Sequence, residues 1–147
     1  MYRLLLSILV VGLFFSCGND HETTPQILVF SKTETFRHAS IEAGIAALKK
    51  LGNEHDFEVT TTEEASLFTE ENLAQYAAVV FLNTSGDVLD NTQQADFQRF
   101  IEAGGGFVGV HGAASTESDW HWFGELVGLT AIGWGWYFGS GGFGEIR

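Results

Sequence analysis

The sequence predicts an α/β fold, a three-layer sandwich built around a parallel sheet. Three observations predict it. Short apolar runs rich in β-formers alternate with stretches whose apolar residues recur at helical spacing. The strongest run, Ala77 to Leu82 (AAVVFL), is continuously apolar, as in a strand covered on both faces. Gly104 to Ala114 (GGGFVGVHGAA) reads as a helix stop, a short strand and a Gly-flanked turn with His111 at its tip. Open α/β sheets bind ligands beyond the carboxyl ends of their strands. That edge is where this chain gathers its polar loops.

Each element has a local reason. Gln26 to Phe30 (QILVF) is the first strand, and Ser31 to Ala39 is a polar loop. Ser40 is placed to cap a helix in which Ile41, Ile45, Leu48 and Leu51 form one stripe and Gly52 is the expected stop. Phe57 to Thr61 is the second strand, Thr62 to Ser66 a loop, and Thr69 caps a short helix through Leu73. Asn83 to Asp87 (NTSGD) has turn composition. Asp90 and Gln93 have capping-box spacing at the start of a helix that turns Phe97, Phe100 and Ile101 inward and ends at Gly104. Phe107 to Val110 is the fourth strand, and Thr116 is placed to cap a last helix through Trp120, Phe123, Leu126 and Val127. From Thr130 to Phe138, larger residues alternate with Ala or Gly, a strand pattern weakened by its glycines.

Composition bounds the function. The chain has 147 residues, enough for one domain, with 45% hydrophobic and 18% charged residues. A net charge of -12 with 7 Lys plus Arg leaves no basic footprint for nucleic acid. Arg3 followed by the apolar run Leu4 to Phe15 reads as a secretory signal, because a membrane span needs about 20 apolar residues. Cys17, the only cysteine, follows this run and resembles the lipidated Cys of a bacterial lipoprotein signal. Residues 1–17 are therefore expected to be signal. Residues 18–25 (GNDHETTP) are expected to be a polar tether, and the protein to reside in the cell envelope, held to a membrane through its lipid only.

The chemistry is expected where the loops after strands one, three and four meet. Small residues around His111 give Gly109 to Ala113 the form of a nucleophile elbow, which projects one side chain from a sheet edge. A histidine there can act as a general base, a metal ligand or a donor to a ligand oxygen, or can simply brace the turn. Arg37 and His38 precede a helix start, where an arginine can hold an anionic or hydroxylated ligand. Asn83, Thr84, Ser85 and Asp87 suit sugar hydroxyls, and they equally suit a plain turn. Glu117, Asp119, Trp120, His121 and Trp122 place carboxylates beside indoles, which suggests a carbohydrate site. His38 and His111, with Asp119 or His121, have the donor types of an open metal site. There is no dinucleotide fingerprint or P-loop in the sequence.

The segments ILVFSKTETFRHASIEAGIAALKKLG, FEVTTTEEASLFTEENLAQYAAVVFLNTSGDVL and FIEAGGGFVGVHGAASTESDWHWFGELVG resemble the trehalose-utilisation (ThuA-like) family. The resemblance covers Gln26 to Gly128, with the FRH loop, the NTSGD turn and the GGGFVGVH elbow in order. It implies a flavodoxin-like sandwich similar to class I glutamine amidotransferases, a link to sugar metabolism, and secretion as a bacterial lipoprotein. The family's FRH loop falls on Phe36, Arg37 and His38, and its Asn-Thr turn on Asn83 and Thr84. Its elbow falls on Gly109 to Ala113, with Gly112 where Ala is usual, and its acidic and aromatic segment on Glu117, Asp119 and Trp120. Amidotransferase relatives carry Cys at the elbow. With His111 there, thiol-dependent glutamine hydrolysis is not expected.

The site expected from residues and resemblance together is His111 as the catalytic group and Arg37, His38, Asn83, Thr84, Asp119 and Trp120 as ligand-binding groups. A divalent metal such as zinc would sit on His38 and His111. The partner is a small sugar or sugar derivative, processed in a hydrolase or lyase-type reaction or bound without catalysis; self-association into a homo-oligomer stays open. The family continues with a strand holding a His-Pro segment, in a domain of about 200 residues or more. Residues 129–147 (LTAIGWGWYFGSGGFGEIR) differ, being Gly-rich and Trp-rich. The expectation is a partial domain over residues 26–128 and an aberrant tail from a truncated or frame-shifted reading frame, in the extreme a fragment without function.

Overall fold

A computed structural model describes residues 24–132 and 135–138, with side chains up to Gly128. The expected signal with Cys17, most of the tether, and residues 133–134 and 139–147 of the tail lie outside the described residues. Among the described residues no helix is long and apolar enough to cross a membrane.

Four parallel strands, β1 (Gln26–Phe30), β2 (Glu58–Thr62), β3 (Ala78–Leu82) and β4 (Gly106–Val110), form one sheet in the order β2-β1-β3-β4. The order reverses between β1 and β3. Neighbouring strands there send their following loops in opposite directions and open a crevice at their carboxyl ends. The flavodoxin-like sandwich expected from the sequence is therefore present.

The two sheet faces bury different side chains because alternate residues of a strand point to opposite faces. Val29, Val80 and Leu82 face α1 (Ile41–His55), whose Ile45 and Leu48 pack on them. Leu28, Phe30, Val79 and Phe81 face the other way, toward α2 (Glu70–Leu73), α3 (Asn91–Glu102) and α4 (His121–Leu126). Phe81 is the hub of that layer. Its ring lies 5.4 Å from Phe30, 5.3 Å from Phe97 and 5.4 Å from Phe123, centroid to centroid. Aromatic rings bury large areas and prefer tilted or offset contact, so this cluster sets the spacing between sheet and helices.

Several local expectations hold in detail. Thr69 accepts a hydrogen bond from the Asn72 amide. Asp90 accepts from the Thr92 and Gln93 amides while Gln93 returns a bond to the Asp90 amide.

Others are corrected. Gly52 does not stop α1, which runs to His55 and ends at Asp56 with φ 55°. Gly52 serves a close approach instead, since a Cβ there would lie 2.5 Å from the Phe57 carbonyl oxygen. Leu51 is exposed rather than part of the buried stripe. Ser40 caps nothing with its hydroxyl, and Thr116 lies buried, five residues before α4 begins. A 3₁₀ turn, Ala65–Leu67, falls in the expected loop after β2. In place of one strand after Leu129, β5 (Leu129–Ile132) and β6 (Gly135–Phe138) pair antiparallel.

Candidate functional site

Three loops meet at the carboxyl edge, after β1, β3 and β4. Of the four non-glycine residues with left-handed φ among the described residues, three lie in these loops: Asn83 (φ 52°), His111 (φ 46°) and Glu117 (φ 54°). Such backbone is costly for most L-residues and persists where surrounding contacts over-determine it.

His111 stands directly after β4 and opens a 3₁₀ turn, His111–Ser115. The turn reverses the chain away from the strand and leaves the imidazole exposed. The small residues around it have a packing reason. A Cβ on Gly112 would lie 2.9 Å from the Thr84 carbonyl oxygen and 3.1 Å from Asn83 Cα, so the elbow presses against the loop after β3.

The structure brings His38 and His111 together. Their ring centroids are 4.6 Å apart at 70°. Phe36 in turn meets His38 edge-on at 4.8 Å and 81°.

The loop that carries them is held by Ser85. The Ser85 hydroxyl accepts from the Phe36 amide at 3.2 Å and donates to the Phe36 carbonyl at 2.8 Å. The Glu34 amide donates to the Ser85 carbonyl.

The other expected residues are placed differently. Arg37 pairs with Glu63 at 2.7 Å and Glu42 at 3.2 Å, tying the loop after β1 to the start of α1 and the end of β2. Asn83 and Thr84 are buried, and their polar atoms are engaged within the chain. Asn83 Nδ2 donates to Ser40 Oγ at 3.1 Å, and its Oδ1 accepts from the Gly112 amide at 3.4 Å. Thr84 Oγ1 and Thr116 Oγ1 lie 2.7 Å apart. Ser40 thus serves Asn83 rather than its own helix.

Two clefts lie among these loops, one of them lined by elbow residues. One, of about 270 Å³, is lined by Phe107, Gly109, His111, Ala113, Ala114, Leu126 and Val127. The other, of about 260 Å³, holds Asp119 and Trp120 with Asp87, Leu89, Asn91, Gln94 and Glu117. The expected site is therefore split, with His38 and His111 on one side and Asp119 and Trp120 on the other.

Trp120 also packs into the aromatic layer, stacked on Phe123 at 5.8 Å. His121 is exposed and lies 3.6 Å from Glu125. Among the described residues no group of three His, Cys, Asp or Glu side chains could hold a metal ion. Of the expected set, His38 and His111 are in contact, while Asp119 lines the other cleft and His121 lies beside Glu125. A catalytic zinc site takes three protein ligands, and these residues supply two.

Glu117, expected among the carboxylates of a carbohydrate site, is instead the most heavily bonded buried side chain of the edge. It is 2% exposed. Its Oε1 accepts from the Val88 amide at 2.7 Å and the Leu89 amide at 2.8 Å, and Oε2 accepts from Gln94 Nε2 at 2.6 Å. Its own amide donates to the Gly86 carbonyl, and the Gly86 amide to the Ser115 carbonyl. Burial pushes the Glu117 carboxyl above the usual carboxylate range, against the opposing effect of these donors.

With this geometry in view, the comparisons identify the family. The chain belongs to the trehalose-utilisation family: the family described as ThuA, trehalose utilisation, matches residues 26–138. That match runs past Gly128 and through β5 and β6. Among solved structures, a ThuA-like protein from Bacteroides uniformis ATCC 8492 is 26% identical to the chain with a TM-score of 0.61. The similarity covers 74% of this chain and 46% of that one, so this chain spans less than half of its length. No curated protein matches the chain.

Two predictions arise from this edge. Gly112→Ala drives a methyl group against backbone, and should cost about 1–3 kcal/mol. A lowered urea midpoint at unchanged m checks this, and an unchanged midpoint would mean that the loop after β3 yields freely. Glu117→Gln removes a titrating group while Gln94 turns its amide to match. A carboxyl whose folded pKa is raised contributes stability below its unfolded pKa, and loses it as pH rises through the folded one. Thermal melts should therefore show the wild type losing ground to Glu117→Gln as pH rises from the ordinary carboxylate range toward neutrality. Parallel curves would refute the coupling.

Proposed function

We propose that the carboxyl edge of this sheet binds and processes a sugar or sugar derivative, with His111 as its central polar group. The observation that carries the reading is the His38–His111 contact at 4.6 Å, with His111 in a left-handed elbow at the end of β4. Strained backbone at a strand end is how α/β enzymes expose a reacting side chain. The family's description as trehalose utilisation supports a sugar as the ligand class.

In this reading His111 accepts or returns a proton on a ligand hydroxyl or an attacking water, in a hydrolase or lyase-type reaction. His38 sets the orientation of the His111 ring. Arg37, paired to two carboxylates, fixes the loop and presents guanidinium N–H groups near its rim. Asn83 and Thr84 act from below, shaping the elbow rather than touching the ligand. Asp119 and Trp120 offer a second set of contacts in the other cleft. No step runs through a thiol, because His111 stands where amidotransferase relatives carry Cys.

The alternative is a lipoprotein whose loops bind sugar without turnover. Replacing His111 separates the two. His111→Ala should lower turnover about 10²- to 10⁴-fold while leaving sugar binding in place. A wild-type protein that turns over no member of a sugar panel would rule out the enzyme. We also propose that residues 1–17 direct secretion and that Cys17 carries the lipid anchor. Cells expressing the chain and fed radiolabelled palmitate should label it, and Cys17→Ser should abolish the label. An unlabelled wild type would refute the anchor.

A further inference from the structure

Phe36 is 63% exposed, the most exposed of the large hydrophobic side chains among the described residues. A phenyl ring left in water forgoes about 1.5–3 kcal/mol of burial. A floppy loop would explain this without any role for the ring, but this loop is fastened. The hydroxyl of Ser85, a residue 7% exposed, bonds both the amide and the carbonyl of Phe36, at 3.2 Å and 2.8 Å. Thr33 and Ser85 form a parallel bridge, and the Glu34 amide bonds the Ser85 carbonyl at 2.8 Å. Three hydrogen bonds from one nearly buried serine thus hold an apolar ring in solvent.

The ring has defined neighbours. Phe36, His38 and His111 form a row, with successive centroids 4.8 Å and 4.6 Å apart. One end of the row is apolar and exposed; the other is the imidazole at the elbow. The ring also stands alone. Glu34, Thr35 and Arg37 beside it are exposed and polar or charged. Protein-docking patches are contiguous apolar areas of several hundred Å², which one phenyl ring does not provide. The arrangement fits a small ligand with an apolar face and a polar rim. A pyranose has that form, with C–H groups on a face and hydroxyls at its edge. The polarised C–H groups complement the negative face of an aromatic ring. The imidazole nitrogens supply both donor and acceptor capacity for the hydroxyls.

We propose that Phe36 is a stacking platform for one face of a pyranose ring, and that Ser85 is the residue that positions it. The proposal rests on reading this edge as a sugar site, and adds which side chain reads the ring. Titration calorimetry and saturation-transfer NMR on the full chain, with trehalose and with glucose as probes, test it. Wild-type protein should transfer saturation to the ring C–H protons of the sugar. Phe36→Ala should weaken binding about fivefold or more and lose that transfer, with an unchanged melt because the ring is exposed. Phe36→Trp should restore both, and Leu51→Ala, another exposed apolar residue, should change neither. Ser85→Ala should weaken binding, and should add no further loss in the Phe36→Ala background, as expected for a residue that acts only through Phe36. If Phe36→Ala binds like wild type, the platform is wrong and the sugar site stands. If wild type binds neither sugar, the sugar reading fails and the platform fails with it.

Discussion

The Glu117 carboxylate lies out of water against two backbone amides and the Gln94 amide. It is the buried charge that joins two loops at the carboxyl edge. One comes from β3 and leads into α3; the other comes from β4 through the elbow. Beside it, Thr84 meets Thr116, and Gly86 exchanges backbone bonds with Ser115 and Glu117. Without an acceptor, the Val88 and Leu89 amides would be buried donors, each costing about 1–3 kcal/mol. The carboxylate is itself disfavoured by burial, and its donors compensate for only part of that. The edge is therefore held by a group in tension with its surroundings.

That tie explains how the elbow can tolerate its backbone. His111 and Asn83 both sit in left-handed conformation at the ends of adjacent strands. Asn83 spans the gap between them, reaching Ser40 on one side and the Gly112 amide on the other. Below, the rings around Phe81 fix where the strands end. Above, Glu117, Thr84 and Ser85 fix where the loops go. The row formed by exposed Phe36, half-buried His38 and exposed His111 is the outcome of both layers. A site built on strand ends and braced from beneath holds its geometry better than one carried by free loops.

Much of the scaffold is legible in the sequence. The four sheet strands are short apolar runs, and their expected spans differ from the observed ones by a residue or so. Capping at Thr69 and Asp90 is local chemistry, so sequence spacing reveals it. The coming together of His38 and His111 is legible once the strands are ordered. What escapes is set by long-range approach. Gly52 looks like a helix stop and is a packing glycine, because its neighbour in space is the Phe57 carbonyl. Ser40 looks like a cap and is a partner for Asn83. Ser85 reads as turn composition, yet its bonds reach 49 residues back along the chain to Phe36. Glu117 reads as a ligand-facing carboxylate beside indoles, and no local pattern marks a carboxylate that will be buried at positive φ. Asp119 and Trp120 line a different cleft from His111, a division that spacing along the chain does not reveal.

The β4 strand has a consequence for the protein outside its site. Among the described residues β4 pairs only with β3, and its sequence, Gly106 to Val110, carries no charge and no proline. Val108 on it is 49% exposed. Natural edge strands deter strangers with lysines, bulges or prolines, and this one has none of these. Such an edge is a template for strand addition, so the strand that delivers His111 also presents a row of backbone donors and acceptors fit to pair with one further strand.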